Sequence, residues 1–230
     1  MSDPVDLIRN RLKVIHNRIE QQERLWRREL GSVKLVAVSK GIAPDTIATL
    51  ISMGQRSFAE NRFKEAVDKW QEIKRKVTSD VELRFIGRLQ SNKVRLIVSL
   101  FDVIETIDDD AVAAMISAEM SRLGEQKRLY VQVSTGLKDE RHGMDPREVV
   151  SFVERCRVAH GLEISGLMCI PPRDANSGPH FALLNKLAKQ AKVLELSMGM
   201  SEDFETAIAM GATHLRIGRA LFDQEYSGLI

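Results

Sequence analysis

Apolar positions at the start of the chain recur at steps of three and four: Val5, Ile8, Leu12, Ile15, Ile19 and Trp26, broken once at Gln22. That period gathers them on one face of a helix. Asp3 stands where an N-cap would, Pro4 suits a first turn, and Gly31 can take the left-handed conformation that ends a helix. The spacing predicts a long helix over residues 3–30, structural in role and packed across part of a larger body.

After Gly31 the pattern changes to short β-branched or apolar runs, at 33–38, 56–59, 83–86, 103–106, 129–133, 164–168, 193–196 and 213–217. Helical patterns lie between them, among them Val112, Met115, Ile116 and Leu123, and, behind Asp145-Pro146, Val149, Phe152, Val153 and Cys156. Gly124, Gly161 and Gly211 sit where such helices should stop. Near-continuously apolar strands separated by helices imply a parallel sheet. Eight such units fit a closed barrel better than an open sheet, so the fold class expected is α/β, a single (β/α)8 TIM-type barrel over residues 1–230 with an extra N-terminal helix. No internal repeat or linker interrupts it, and residues 171–179 read as one loop.

Composition narrows the function. Lys and Arg number 34 against 32 Asp and Glu, a formal charge of +2, and aromatic residues make up 5%. There is neither a broad basic field nor a base-stacking surface, so nucleic acid is not an expected partner. Cys156 and Cys169 are too few and too far apart for a metal knuckle or redox pair, which fits a reducing cytoplasm. The five histidines show no metal-ligand spacing. No run is apolar enough for a signal peptide's core or a membrane span.

In a barrel of this kind the chemistry sits on the loops after the strands. Lys40 ends the first strand, in Val38-Ser39-Lys40-Gly41. A lysine reaching into a barrel mouth is partly desolvated, which favours the free amine that attacks a carbonyl; a solvated strand-end lysine is the plainer reading. Ser197-Met198-Gly199-Met200-Ser201 leads toward a helix beginning near Glu202, and Leu215-Arg216-Ile217-Gly218-Arg219 turns into another. Small residues and free N–H groups at these two positions suit a phosphate, although Ser201 alone could be a helix cap and Gly218 a plain turn. Glu60-Asn61 could face the mouth or begin a helix. Arg84, Arg88, Lys93 and Arg95 around Gln90-Ser91-Asn92 read as a solvated helix start, and Asp108-Asp109-Asp110 as an acidic one.

These segments carry a resemblance. Ala37-Val38-Ser39-Lys40, Glu60-Asn61, Phe85-Ile86-Gly87 with Leu89-Gln90-Ser91-Asn92-Lys93, Gly166-Leu167-Met168, Ser197-Met198-Gly199-Met200-Ser201 with Asp203, and Arg216-Ile217-Gly218 closely resemble the pyridoxal phosphate homeostasis proteins. That family looks like the isolated barrel domain of alanine racemase, a fold-type III pyridoxal phosphate architecture. The resemblance implies that Lys40 holds pyridoxal 5′-phosphate (PLP) as a lysine aldimine, that Ser201 and the backbone at Gly218 and Arg219 hold its phosphate, that Arg216 faces the pyridine nitrogen, and that Asn61 lines the ring pocket. Against the family pattern, Ala59 replaces Gly, Arg84 an aromatic or His, Arg88 Pro, Ser134 Asn, Arg141 Lys, and Arg219 a Thr or Ser.

Three functions compete on this reading. The resemblance implies a cytoplasmic PLP-binding protein that stores the cofactor or delivers it to apo PLP-dependent enzymes, without substantial amino-acid turnover. A PLP enzyme such as a racemase is the alternative, but it needs an opposing base, and only Tyr130, at a strand start, and Tyr226, in the tail, exist here. A PLP-independent sugar-phosphate enzyme would need Glu60 as a general base beside Lys40.

Overall fold

The structure is a computed structural model that describes residues 4–78, 80–136 and 143–228; Asp3, Arg141 and His142 lie outside them. Strands β1 (Lys34–Val38), β2 (Ser57–Glu60), β3 (Glu82–Phe85), β4 (Val103–Ile107), β5 (Arg128–Val133), β6 (Ile164–Cys169), β7 (Glu195–Ser197) and β8 (His214–Ile217) close in chain order into one parallel barrel. β8 pairs back onto β1, with Ala37 beside Ile217. All eight runs read from the sequence are strands, because β-branched and apolar residues buried on both faces satisfy a parallel sheet.

Helices α1 (Pro4–Leu25), α2 (Pro44–Ser52), α3 (Phe63–Lys76), α4 (Val94–Leu100), α5 (Asp110–Leu123), α6 (Val149–His160), α7 (Ser177–Ala191), α8 (Phe204–Ala209) and α9 (Arg219–Phe222) surround the strands. Asp109 caps α5 by accepting the Val112 N–H, as the acidic run implied, and Gly124 and Gly161 end α5 and α6 with φ of 66° and 64°. The expected loop at 171–179 is shorter than read, since Asn176 caps α7 and places Pro179 in its first turn, where a missing N–H costs nothing. The main apolar core lies between strands and helices, with Phe58 and Trp70 in edge contact at 5.4 Å.

α1 ends earlier than its stripe suggested. Arg27 turns the chain with φ of 52°, so Trp26 is not on the buried face and stands 51% exposed. The buried positions are Leu12, Ile15, Ile19 and then Glu23, one step after the apparent break at Gln22. The Glu23 carboxylate accepts the N–H groups of Gly31 and Val33 at 2.9 and 2.8 Å and so ties the link into β1. α1 packs on α2, α8 and α9, and Arg11 reaches the carbonyls of Asp223, Gln224 and Tyr226.

Inside the barrel the apolar residues form two small separate groups, Val36, Val38 and Ala59 on one side and Val103, Tyr130 and Met168 on the other. Between them runs a charged layer that the sequence reading missed. Arg84, expected to be solvated, is fully buried, and its Nη1 donates to Glu105 at 2.5 Å and its Nε to Glu82 at 2.7 Å. Burial by itself would weaken the Arg84 guanidinium's hold on its proton, but Glu105 and Glu82 outweigh that and push its pKa up.

The end of the barrel at the strand N-termini holds a cavity of about 1410 Å³, lined by Lys34, Glu82, Arg128, Glu195 and His214 among others. It lies opposite the face where barrels of this type do chemistry. Arg128 bridges Glu82 and Glu195 there, at 2.7 and 2.5 Å, so these wall charges are paired with one another. Burial, with Arg84, Arg128, Lys34 and Arg216 adding repulsion, holds the His214 imidazole down to about 2, so it is neutral in the folded protein. The unfolded chain takes up that proton near 6.5. Stability should therefore be intact above that pH and fall as pH drops through 6.5 toward 4.5, by up to about 1.4 kcal/mol per unit from this group. His16, lowered by burial, acts in the same direction. Urea melts at pH 7.5, 6 and 5 would show the loss, and His214→Gln should flatten the slope; an unchanged slope in that variant would remove His214 as its source.

Candidate functional site

Side chains alternate along a strand, so the inner positions Val36 and Val38, Ala59, and Arg216 are followed on the same side by Lys40, Asn61 and Gly218 at the C-terminal rim. β1 lies between β2 and β8, with Val38 beside Ala59 and Ala37 beside Ile217, which brings these three strand ends together.

Lys40 occupies a tight turn. The Ile42 N–H returns to the Ser39 carbonyl at 3.1 Å, and Gly41 takes φ of 71° at the third position, as a type II turn requires. The Ser39 hydroxyl donates to buried Glu60 at 2.7 Å, and the Gly41 N–H donates to Glu65 at 2.5 Å. Glu60 Oε1 is thereby engaged beneath the turn, while its Oε2 is buried without a hydrogen-bond partner. The Lys69 hydrogen bond leads the causes that hold the Glu65 carboxyl below the usual range. Lys40 itself is exposed, and among the described residues its ammonium has no partner.

The β7 and β8 loops meet beside it. Helix α8 starts at Phe204, later than the sequence suggested, and Ser201 does not cap it. Its hydroxyl instead accepts the Ala220 N–H of α9 at 3.0 Å, which leaves the hydroxyl proton free to donate elsewhere. The first turn of α9 also leaves the Gly218 and Arg219 N–H groups without intrahelical acceptors. The Arg219 side chain pairs with Glu202 at 2.6 Å in solvent, so only its backbone faces this site. The Asp203 carboxylate accepts the Met200 N–H at 2.7 Å, and burial pushes its pKa up. Tyr226 is closer to the site than a tail residue was expected to be: its hydroxyl donates to the Ser201 carbonyl at 2.7 Å.

Arg216 forms the floor. It is buried, with Nη1 donating to the Ser197 hydroxyl at 2.7 Å and Nη2 to the Cys169 carbonyl at 2.8 Å, and Ser197 donates to Glu105 at 2.6 Å. The charged layer thus fixes the guanidinium from below. Asn61 sits at the side wall; its Oδ1 is buried without a hydrogen-bond partner, which is unusual enough to mark a place for a ligand donor. Gly87 holds it there, since a Cβ at that position would stand 2.1 Å from the Asn61 carbonyl oxygen. Two contributors escaped the sequence reading. Lys69 was not singled out, although its spacing of four from Glu65 was a weak signal. Glu105 lay in a strand run with nothing to mark its partners.

Among the described residues no three His, Cys, Asp or Glu side chains are placed to hold a metal ion, and no helix is long and apolar enough to cross a membrane. The fold and rim define a class: a (β/α)8 barrel with a lysine after its first strand, next to hydroxyl and backbone donors after its seventh and eighth. Residues 7–225 match the family model described as alanine racemase, N-terminal domain. The pyridoxal phosphate homeostasis protein of Pongo abelii is 34% identical over 94% of this chain and 86% of its own length, and that of Vibrio cholerae 33% over 96% and 98%. The solved structure of PipY from Synechococcus elongatus, with PLP bound, superposes with a TM-score of 0.76 at 34% identity, covering 89% of this chain and 99% of that one. The chain belongs to the pyridoxal phosphate homeostasis protein family.

Proposed function

We propose that the protein binds PLP at this rim, attached through Lys40, and acts in cytoplasmic PLP homeostasis by storing the cofactor or passing it to apo PLP-dependent enzymes. The observation that carries the reading is an unpartnered amine on a fixed turn, on the strand next to the free donors of the Gly218 turn. Bound there, PLP would supply an electrophilic aldehyde carbon and an electron-withdrawing ring.

The residues fit such a group. Ser201 Oγ–H and the N–H groups of Gly218 and Arg219 suit a phosphate, and the orphaned Asn61 Oδ1 would accept from a polar group at the ring edge. Arg216, which can only donate, would disfavour protonation of a ring nitrogen set against it and weaken the ring's capacity to accept electrons. Neither tyrosine supports the racemase alternative. Tyr130 is buried in the charged layer, donating to Glu195 at 2.5 Å, and Tyr226 is spent on the Ser201 carbonyl. The family relationship and the PLP-bound PipY structure favour the same reading.

The test incubates PLP-loaded protein with each enantiomer of alanine, and separately with an apo-enzyme acceptor. Transfer to the acceptor without sustained inversion or keto-acid release is expected. Multiple turnovers abolished by Lys40→Ala would promote the racemase instead.

At the phosphate end, Ser201→Ala should weaken PLP binding by about 0.5–1.5 kcal/mol, since the backbone donors remain. A Cβ at Gly218 would meet Val38 Cβ at 3.5 Å, an ordinary contact, so Gly218→Ala should fold yet lose more affinity by crowding the donors. Pyridoxal without phosphate should be insensitive to both changes; equal losses for pyridoxal and PLP would place the phosphate elsewhere.

A further inference from the structure

Beneath the Lys40 turn lies a buried cation that the reaction itself does not use. Lys69, on α3, is 7% exposed. Its Nζ donates to the Ser39 carbonyl at 2.7 Å, to Glu60 at 3.0 Å and to Glu65 at 2.8 Å, which uses all three donors of an ammonium. The same two carboxylate oxygens take the Ser39 hydroxyl and the Gly41 N–H. Trp70 Nε1 adds a third donor to Glu60 at 3.3 Å. Lys69 is therefore bound to one neighbour of Lys40 directly and to both through carboxylates.

Such a cluster is a poor way to gain stability. Taking an ammonium and a carboxylate out of water costs several kcal/mol, and apolar side chains of similar volume often serve as well or better. What an apolar replacement cannot do is grip a turn at named atoms from a fixed direction. The grip acts on both sides of Lys40 while leaving its side chain free.

We propose that Lys69 is a positioning residue for Lys40: by holding Ser39 and Gly41 it sets the direction in which the Lys40 amine leaves the rim, toward the Gly218 turn. This rests on the reading that Lys40 carries PLP. Lys69 is itself too enclosed to react, its ammonium being fully hydrogen-bonded below the backbone of the turn. Orientation of an attacking group within about an ångström governs the rate of bond formation much more than it governs the affinity for the rest of the ligand.

The experiment uses the full chain and two probes. Pyridoxine 5′-phosphate shares the ring and phosphate of PLP but has no aldehyde, so its affinity reports the pocket alone. The rate of PLP attachment, followed by visible absorption and fixed with borohydride on the Lys40 peptide, reports the amine. In Lys69→Met, attachment should slow about tenfold or more while pyridoxine phosphate affinity stays within about twofold. Should the lone Glu60 charge prevent folding, Lys69→Met with Glu60→Gln removes that charge and should show the same split. Glu65→Ala removes the Gly41 tie and one of the three Lys69 acceptors but leaves the Ser39 side of the turn held, and should show the split in smaller measure. Attachment at the unaltered rate in a folded variant, or equal loss for both probes, would overturn the proposal. Absence of label on Lys40 in the unaltered chain would instead overturn the PLP reading, and the proposal with it.

Discussion

Lys40→Ala should abolish covalent capture of PLP without disturbing the fold. The side chain is exposed, and among the described residues it has no hydrogen bond or ion pair, so its removal takes no packing with it. Surface substitutions of this kind change stability by no more than about 0.5 kcal/mol. Lys40→Arg should fail equally, because a guanidinium keeps the charge but cannot act as a nucleophilic amine. Incubation with PLP, borohydride reduction and peptide mass analysis should place the pyridoxyl group on the Lys40 peptide of the unaltered chain and reduce it to background in both variants. Some PLP should still associate without a covalent bond, through Ser201 and the Gly218 turn. Label confined to other lysine peptides would sink the assignment.

The second large effect concerns stability. Glu105 is fully buried and takes Arg84 on one oxygen and Ser197 on the other, with Arg216 Nη1 4.0 Å away. Glu105→Leu would take from Arg216 its ion-pair partner among the described residues and leave Arg84 paired there with Glu82 alone, which Arg128 also claims. Removing one partner of a buried ion pair costs about 3–5 kcal/mol, since the remaining charge stays out of water. In a chain of this size each kcal/mol moves the melting temperature by roughly 2–4 °C. Calorimetry should show the full drop in Glu105→Leu and much of it restored when Arg84→Met is added. A change below about 1 kcal/mol would mean that water reaches the layer and screens it. The same variant should impair the site, because Ser197 would lose the acceptor that orients it beneath Arg216.

These two residues also mark how far the sequence could be read. Lys40, Ser201, Arg216 and Gly218 were legible because they follow strands whose apolar runs declare themselves, and barrel geometry puts strand ends on one face. Their family resemblance added the cofactor. Asn61 could be placed after β2, but its place in the ring pocket came only from the resemblance, since its orphaned oxygen exists only once Gly87 packs on its backbone.

Polar residues inside the fold were a different matter. Arg84 read as solvated, and Lys69 was not singled out, because a charged side chain in isolation prefers water and nothing local announces the carboxylate that will compensate it. For Arg84 that partner is Glu105, 21 positions away, and for Arg216 the ties are Ser197 and Cys169, 19 and 47 positions away. Glu23 likewise continued the α1 stripe only because the chain returns at Arg27 to give it the N–H groups of Gly31 and Val33. Periodicity, caps and strand ends are short-range properties, so the sequence by itself determined the barrel, its order of elements and the rim that carries Lys40. Which charges could be buried, and therefore how the Lys40 turn and the Arg216 floor are held, was decided by tertiary structure, because the free energy of a buried charge depends on partners that only closure of the barrel brings within hydrogen-bonding distance.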